Sequence, residues 1–426
     1  MSMVEDLIGN IDIPKFFYVE QKFSQNSIDK NSIETYLEKS LKENSSFMSI
    51  RCGSKIGITV GSRGIAHLNV IVKKITDCIK EVGGIPFIIP SMGSHGGATA
   101  EGQKKIVENF GISEGSTGAK IISSMEVDKI GDTKNGLPVY VDRNALKLDG
   151  IIVLNRVKPH TDINGPIESG LQKMLAIGLG KQRGAEICHE KGLENTLSRI
   201  EEISSFMLDN LNIICGIAII ENAYDELFDI EVISKDKIKK EEPKLLILSK
   251  QLMPRLLIND IDILIVDYMG KNVSGDGMDP NVIGRGIIST KNKDIKINRI
   301  VILNLTNETM GSAMGIGLAD YTTKKVFDKI DFEEMYPNAI TAMAPEGVEI
   351  PMVLENDRLA IKAAIKMQIK NIDQLRIVRI KDTLHLNKIY ISESMKEDID
   401  RNSRIKILEG PLEFLFDAHG NLVNKW

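Results

Sequence analysis

The sequence predicts an α/β protein of two α/β domains, the first with a mostly parallel, Rossmann-like sheet, and three observations carry that prediction. Short runs that are apolar throughout, such as IGITV, IPFIIP and GIIVLNRV, alternate with amphipathic segments, the pattern of strands covered on both faces. The alternation restarts at DIDILIVDYMG and NRIVILNLT, which opens a second α/β unit. At 426 residues the chain is roughly two to three times the usual domain length. The charged, then amphipathic run 235–258 reads as the crossover between the two. The expected domains are therefore 1–255 and 256–426, with the active site in the cleft between them.

The elements follow in order. IGITV is a strand. From His67 to Val82, the residues Leu68, Ile71, Val72, Ile75, Ile79 and Val82 fall on one face at helical spacing, and Gly83-Gly84 ends that helix. IPFIIP is the next strand and TAEGQKKIVENF the next helix, with Thr99 as its N-cap. A continuous apolar strand begins at Gly150. In the second unit a Gly/Ala-rich helix is expected near SAMGIGLADYTTKKVFDKI, and another around ENDRLAIKAAIKMQ.

Composition narrows the function. Lys and Arg total 54 against 59 Asp and Glu, a formal charge of −5, so there is no electrostatic case for nucleic acid. No apolar run reaches the roughly 20 residues of a membrane span, and the N-terminus carries no signal-peptide pattern. The four cysteines, Cys52, Cys78, Cys188 and Cys215, are scattered without C-x-x-C spacing. That speaks against a zinc knuckle or a disulfide framework and for a reducing cytoplasm. No heptad marks an interface, so a homo-oligomer is neither required nor excluded.

Ligands of open parallel sheets bind beyond the carboxyl ends of the strands, and three predicted strand-end loops carry unusual residues. They are Gly61-Ser62-Arg63-Gly64, Ser91-Met92-Gly93-Ser94-His95-Gly96-Gly97 and Lys158-Pro159-His160-Thr161-Asp162. Glycines let backbone N–H groups approach an anion, and Arg63 adds a planar donor fork. An ordinary strand-to-helix turn explains GSRG equally well. Of six histidines, His95 and His160 fall in these loops, and two at one sheet edge beside an arginine suit acid–base chemistry. His67, at a helix start, reads as a cap or surface residue. His385 and His419 read as structural.

The segment from Glu168 to Glu190 places Lys173 in an apolar, glycine-bearing stretch. Such a lysine is either a nucleophile or covalent anchor with lowered pKa, or a side chain snorkelling from a helix face. His189 is either a metal ligand or a surface helix residue. Only Cys188 stands near it at ligand spacing, which disfavours a metal site built wholly by protein.

Taken together, these residues resemble the nickel-dependent lactate racemases and their 2-hydroxyacid racemase and epimerase relatives. The likeness lies in Ser62-Arg63 after the first strand, Gly93-Ser94-His95 in the next loop, and Pro159-His160 after a later strand. It continues through Ser169-Gly170-Leu171-Gln172-Lys173 and the sixteen residues from Lys173 to His189. The order and the Lys–His spacing make the set specific, over about residues 50 to 230.

The resemblance implies an isomerase: a racemase or epimerase of a 2-hydroxy acid, acting through a nickel-pincer nucleotide, the pyridinium bis-thiocarboxylate mononucleotide with nickel. It implies Lys173 as cofactor anchor and His189 as the nickel ligand. Ser62, Arg63, Ser169 and Gly170 would lie against cofactor or substrate carboxylate. His95 and His160 become alternating acid and base while the C2 hydrogen passes as a hydride to and from the cofactor. A small hydroxy acid and cofactor-synthesis proteins are the implied partners. The competing readings are a pincer-dependent oxidoreductase of a hydroxy acid and a non-catalytic binding homologue.

The chain departs from the pattern at several points. Val60 stands where an acidic residue is usual, and Gln172 where an arginine is usual. Three extra residues separate His160 from Lys173, and Tyr268-Met269-Gly270-Lys271 is offset by one from a substrate-contacting Tyr/Lys pair. The loop Gly275–Asn281 reads as a Gly/Asp turn. The identity of the hydroxy acid is thus not fixed.

Overall fold

The computed structural model describes residues 3–287, 295–424 and 426. Its strands in chain order are β1 (Phe16–Gln21), β2 (Lys55–Val60), β3 (Ile85–Pro90), β4 (Lys120–Ile121), β5 (Val127–Asp132), β6 (Pro138–Asp142), β7 (Gly150–Arg156) and β8 (Ile213–Glu221). There follow β9 (Leu227–Ser234), β10 (Asp260–Val266), β11 (Lys296–Ile302), β12 (Tyr321–Thr323), β13 (Met352–Leu354), β14 (Ile377–Ile380), β15 (Lys388–Ser392) and β16 (Ile405–Leu412). The chain forms two compact units, 24–253 and 1–23 with 254–426.

In the unit 24–253 a six-stranded sheet runs β4-β3-β2-β7-β8-β9, parallel except where β9 pairs with β8. Its central strands β2, β3, β7 and β8 are apolar over most of their length because both faces are covered. Ile88, Ile152, Leu154, Ile217 and Ile219 enter one core with Leu37, Ile71 and Ile75. Their neighbours Ile89, Ile151, Val153, Ala218 and Ile220 enter a second core with Leu175, Ile203 and Met207. The helix Leu68–Glu81 buries Leu68, Ile71, Val72, Ile75 and Ile79, as the spacing predicts. Gly83 follows it in the left-handed region at φ 84°. Thr99 caps Ala100–Asn109 by accepting from the Gly102 N–H. β5 and β6 form a separate antiparallel ribbon.

The other unit contains an eight-stranded sheet, β13-β12-β11-β10-β14-β15-β1-β16. The strands from β13 to β14 are parallel and the last three join antiparallel. Residues 1–23, which the sequence reading grouped with 24–255, belong here. β1 lies between β15 and β16, with Val19 opposite Ile389 and Ile407. The charged run near 235 becomes the helix Ile238–Leu252 of the unit 24–253.

A correction falls near residue 315. In place of the expected Gly/Ala-rich helix there is a 3-10 turn, Ile316–Leu318, followed by β12 and the short helix Lys324–Phe327. Gly311 and Gly315 stand at φ 80° and 91°, outside helical backbone, and a Cβ at Gly315 would come within 1.7 Å of the Asp276 carbonyl oxygen. The three residues of β12 are buried in parallel pairing. The helix expected around 355–368 forms as Asp357–Lys366, capped by Asn356.

Candidate active site

The first unit's sheet has a topological switch point. From β2 the chain moves outward to β3 and β4, then returns to the other side of β2 as β7. A crevice at such a point, beyond the carboxyl ends of the strands, is where open α/β sheets hold ligands. The loops after β2, β3 and β7 therefore emerge side by side at one edge, as the strand assignments predict.

A short helix, Leu171–Lys173, continues as a π-helix over Met174–Leu179 and then, past Gly180, as the helix Lys181–His189. It packs under all three loops. A Cβ on Gly61 would touch Met174 at 3.2 Å and Asn155 of β7 at 3.7 Å. One on Gly93 would touch Ile177 at 3.0 Å and Ala185 at 3.6 Å, and one on Gly178 the Ser91 carbonyl oxygen at 2.9 Å. Glycine is needed at Gly93, which stands at φ 60°, and at Gly178, where the Ser91 backbone is met; at Gly61 the close neighbour is the movable end of Met174. In an unbroken α-helix, positions sixteen apart would point about 160° away from each other. The π-turns and the left-handed Lys181, φ 53°, alter that relation.

Lys173 is partly buried, and its amine makes no hydrogen bond or ion pair among the described residues. Burial pulls it down to about 8, with Arg63 and Lys158 pushing the same way and Asp162 and Cys188 opposing. His189 is lowered by burial and by Lys173, with Asp162 opposing, and its Nδ1 lies 3.2 Å from Thr196 Oγ1. Lys173, His189, Arg63 and Asp162 thus share one electrostatic neighbourhood. Arg63 is lowered by partial desolvation and by Arg156. Arg156 itself pairs with Glu221, whose other oxygen accepts from the Ala66 N–H at 2.6 Å and so holds the Arg63 loop to β8. Burial pushes the Cys188 thiol up to about 12, so beside His189 it is a protonated thiol, a poor metal ligand.

The loop after β7 is closed by paired backbone bonds between Lys158 and Ser169. Within it Glu168, 3 % exposed, accepts from the His160 N–H at 2.7 Å and the Gly165 N–H at 3.3 Å, and pairs with Lys250 at 2.6 Å. His160 Nδ1 accepts from the Asp162 N–H at 3.0 Å and the Ile163 N–H at 3.2 Å. The neutral ring must then carry its proton on Nε2. His95 is the reverse: its Nδ1 lies 2.9 Å from the Met92 carbonyl oxygen, so Nδ1 carries the proton and Nε2 the lone pair. One histidine therefore presents an acceptor and the other a donor.

Of the remaining expected site residues, Ser62 is partly exposed beside Arg63. Ser169 contributes backbone to the loop closure. Gly170 has a packing reason of its own, since a Cβ there would lie 2.0 Å from Glu242 Oε1, and its carbonyl accepts from Asn155 at 2.7 Å. His67 precedes its helix in left-handed backbone without a capping bond. In the other unit, His385 Nδ1 lies 2.8 Å from both oxygens of Asp382. Among the described residues no three His, Cys, Asp or Glu side chains are grouped to hold a metal, and no helix is long and apolar enough to cross a membrane.

Sequence reasoning missed Glu168 and Glu242. The one available signal is a carboxylate in an otherwise apolar stretch, as at Glu168. Glu242, 1 % exposed, accepts from the Gln172 N–H at 3.1 Å at the start of the Lys173 helix, and burial raises its carboxyl to about 7. The unfolded chain ionises near the ordinary carboxyl value of 4.5 while the folded chain keeps the proton. Stability present below that pH is therefore lost as pH rises toward 7, by on the order of 3 kcal/mol. Glu242→Gln is expected to flatten this slope in urea melts between pH 4.5 and 8, and to be the more stable protein at pH 8.

Comparison with known proteins comes to the same region. Residues 14–200 match the model of the lactate racemase N-terminal domain. A crystal structure of a Thermotoga maritima protein is similar at 13% identity over 77% of this chain and 84% of that one, with a TM-score of 0.49. The lactate racemase apoprotein of Thermoanaerobacterium thermosaccharolyticum is similar at 12% identity over 93% of this chain and 98% of that one, with a TM-score of 0.48. Among curated proteins none matches.

Proposed function

We propose that this chain, whose residues 14–200 match the lactate racemase N-terminal domain, is a racemase or epimerase of a 2-hydroxy acid that works with a nickel-pincer nucleotide. The observation that carries the proposal is the Lys173 amine. It is partly buried at the switch-point edge, without a hydrogen-bonding partner among the described residues, and held at about 8 beside Arg63, Asp162 and His189.

The residues fit such a group. An amine at about 8 is neutral in roughly one molecule in ten at pH 7, which suits covalent attachment to a thiocarboxylate arm. His189, oriented through Nδ1 by Thr196, would offer Nε2 to nickel. The remaining ligands would have to come from the cofactor. Arg63, Lys158 and Lys173 gather positive charge against one carboxylate, Asp162, which suits phosphate, thiocarboxylate and substrate carboxylate groups. Ser62, Ser169 and Gly170 border that charge. When bound, the cofactor supplies reversible acceptance of a hydride.

The chain's own part is to bind the substrate carboxylate and move the hydroxyl proton. His95, with its lone pair on Nε2, takes that proton from one enantiomer. His160, with its proton on Nε2, returns one on the other side, and the roles exchange for the reverse reaction. Glu168 keeps the His160 loop in place through its backbone.

The test is metal analysis and intact mass of protein made in a host able to build the cofactor. The expected result is stoichiometric nickel in the wild type, its loss in His189→Ala, and loss of any added mass in Lys173→Ala. Wild-type protein without nickel would sink the proposal. Enantiomers interconverting with no electron acceptor added separates racemisation from net oxidation.

A further inference from the structure

We propose that Lys181 and Gln103 are positioning residues that set the His95 loop, and the ring tautomer of His95, against the helix of Lys173 and His189; this rests on the racemase reading for its catalytic meaning. Lys181 is fully buried, at the joint between the π-helix and the helix that ends at His189. Its ammonium pairs with Asp142 of β6 at 3.0 Å, donates to the Pro90 carbonyl oxygen at the end of β3, and donates to Gln103 Oε1 at 3.1 Å. Asp142, also fully buried, is fixed in turn by the Asn144 N–H at 2.7 Å.

An ammonium can only donate, so Lys181 decides which way the Gln103 amide faces. With Oε1 turned to Lys181, the NH2 group must face the loop. There it donates to the Gly93 carbonyl oxygen at 2.8 Å and the His95 carbonyl oxygen at 3.2 Å.

The loop needs such a clamp. Gly93, Gly96, Gly97 and Ala98 all lie at positive φ, and a segment so rich in glycine has many alternative conformations. Its tip carries the bond between His95 Nδ1 and the Met92 carbonyl that selects the tautomer. A burial-only role for Lys181 would need neither the amide polarity nor the two carbonyl bonds. A buried lysine is a costly way to fill space, and one that orients an amide which orients a loop has a reason to be retained.

The test uses the full-length chain without cofactor or substrate, so its outcome is independent of whether the racemase reading holds. Long-range proton–nitrogen NMR of histidine-labelled protein reads the His95 tautomer, and amide hydrogen exchange reads the loop. Gln103→Glu is the informative variant, because a carboxylate keeps the contact with Lys181 and loses both donations. We expect the wild-type ring to be protonated on Nδ1. In Gln103→Glu and Gln103→Met it becomes a mixture, with exchange at residues 93–98 at least tenfold faster. Gln182→Met, a change at the exposed neighbour of Lys181, should leave both unchanged. Lys181→Met should behave as the Gln103 variants do; if it fails to fold, they carry the test alone. A wild-type tautomer and wild-type exchange in both Gln103 variants would overturn the proposal.

Discussion

Under the proposed nickel-dependent racemisation, replacing His95 or His160 by alanine is expected to lower activity by roughly 10²–10⁴-fold while leaving bound nickel unchanged. The expectation rests on hydrogen bonds at the two Nδ1 atoms that run in opposite directions. His95 Nδ1 faces a carbonyl oxygen and His160 Nδ1 faces backbone N–H groups, so the rings rest as opposite tautomers with opposite capacities at Nε2. A reaction that must work from either enantiomer needs both capacities, and each variant removes one. The measurement is chiral chromatography of a panel of 2-hydroxy acids incubated with cofactor-loaded protein, beside metal analysis of the same samples. Nickel lost from either variant would move that histidine from proton transfer to cofactor binding. Full activity in both would remove the two-histidine scheme. Lys173→Ala and His189→Ala should show the converse pattern, with cofactor or metal lost first.

The second large effect belongs to the other unit and concerns stability. Arg379→Met is expected to cost about 3–5 kcal/mol. Arg379, 2 % exposed, grips Asp267 with two bonds of 2.8 and 2.6 Å and donates to the Asn424 carbonyl oxygen at 3.0 Å. Its guanidinium lies 4.9–5.3 Å from the rings of Tyr390, Phe414 and Trp426, and Trp426 Nε1 bonds the same carboxylate at 2.7 Å. Losing the arginine leaves the Asp267 charge buried with, among the described residues, only the indole N–H against it. Restoring charge balance with Arg379→Met/Asp267→Leu should recover at least half of the loss, because the dominant penalty is the uncompensated ion rather than the missing attraction. Urea midpoints of the two variants decide this: a double variant no more stable than the single would place the cost in packing instead.

What could be read from the sequence depended on how far away each residue's partner lies. The strands beginning at Lys55, Ile85 and Gly150, the helix from Leu68 and the Thr99 cap are written in local pattern, because their cause is periodicity or a neighbour three residues away. The strand-end placement of Arg63, His95 and His160 followed from those strands. Residues 1–23 gave no such signal, since β1 takes its place from β15 and β16, paired at positions about 370 or more along the chain. Glu242, Lys181 and Gln103 were illegible for the same reason. Each matters through partners that only folding brings near: Gln172 for Glu242, Asp142, Pro90 and Gln103 for Lys181, and the Gly93 loop for Gln103. The stretch at 311–318 misled because Ala313, Met314 and Leu318 favour a helix, while Gly311, Gly315 and Gly317 disfavour it and the approach of Gly315 to Asp276 requires a turn.

The π-turns between Lys173 and His189 act on angle rather than on contact. Each residue in wide-turn geometry advances the chain by less rotation than an α-helical residue does, so the length of Met174–Leu179, together with the left-handed joint at Lys181, sets the direction in which His189 is presented. Substitutions there change packing by degrees, whereas deleting a single residue would rewind the segment and turn His189 by most of the roughly 100° that an α-helical residue spans. Within this stretch, the number of residues is thus under tighter constraint than their identity, and relatives sharing the chemistry should differ in letters there long before they differ in count.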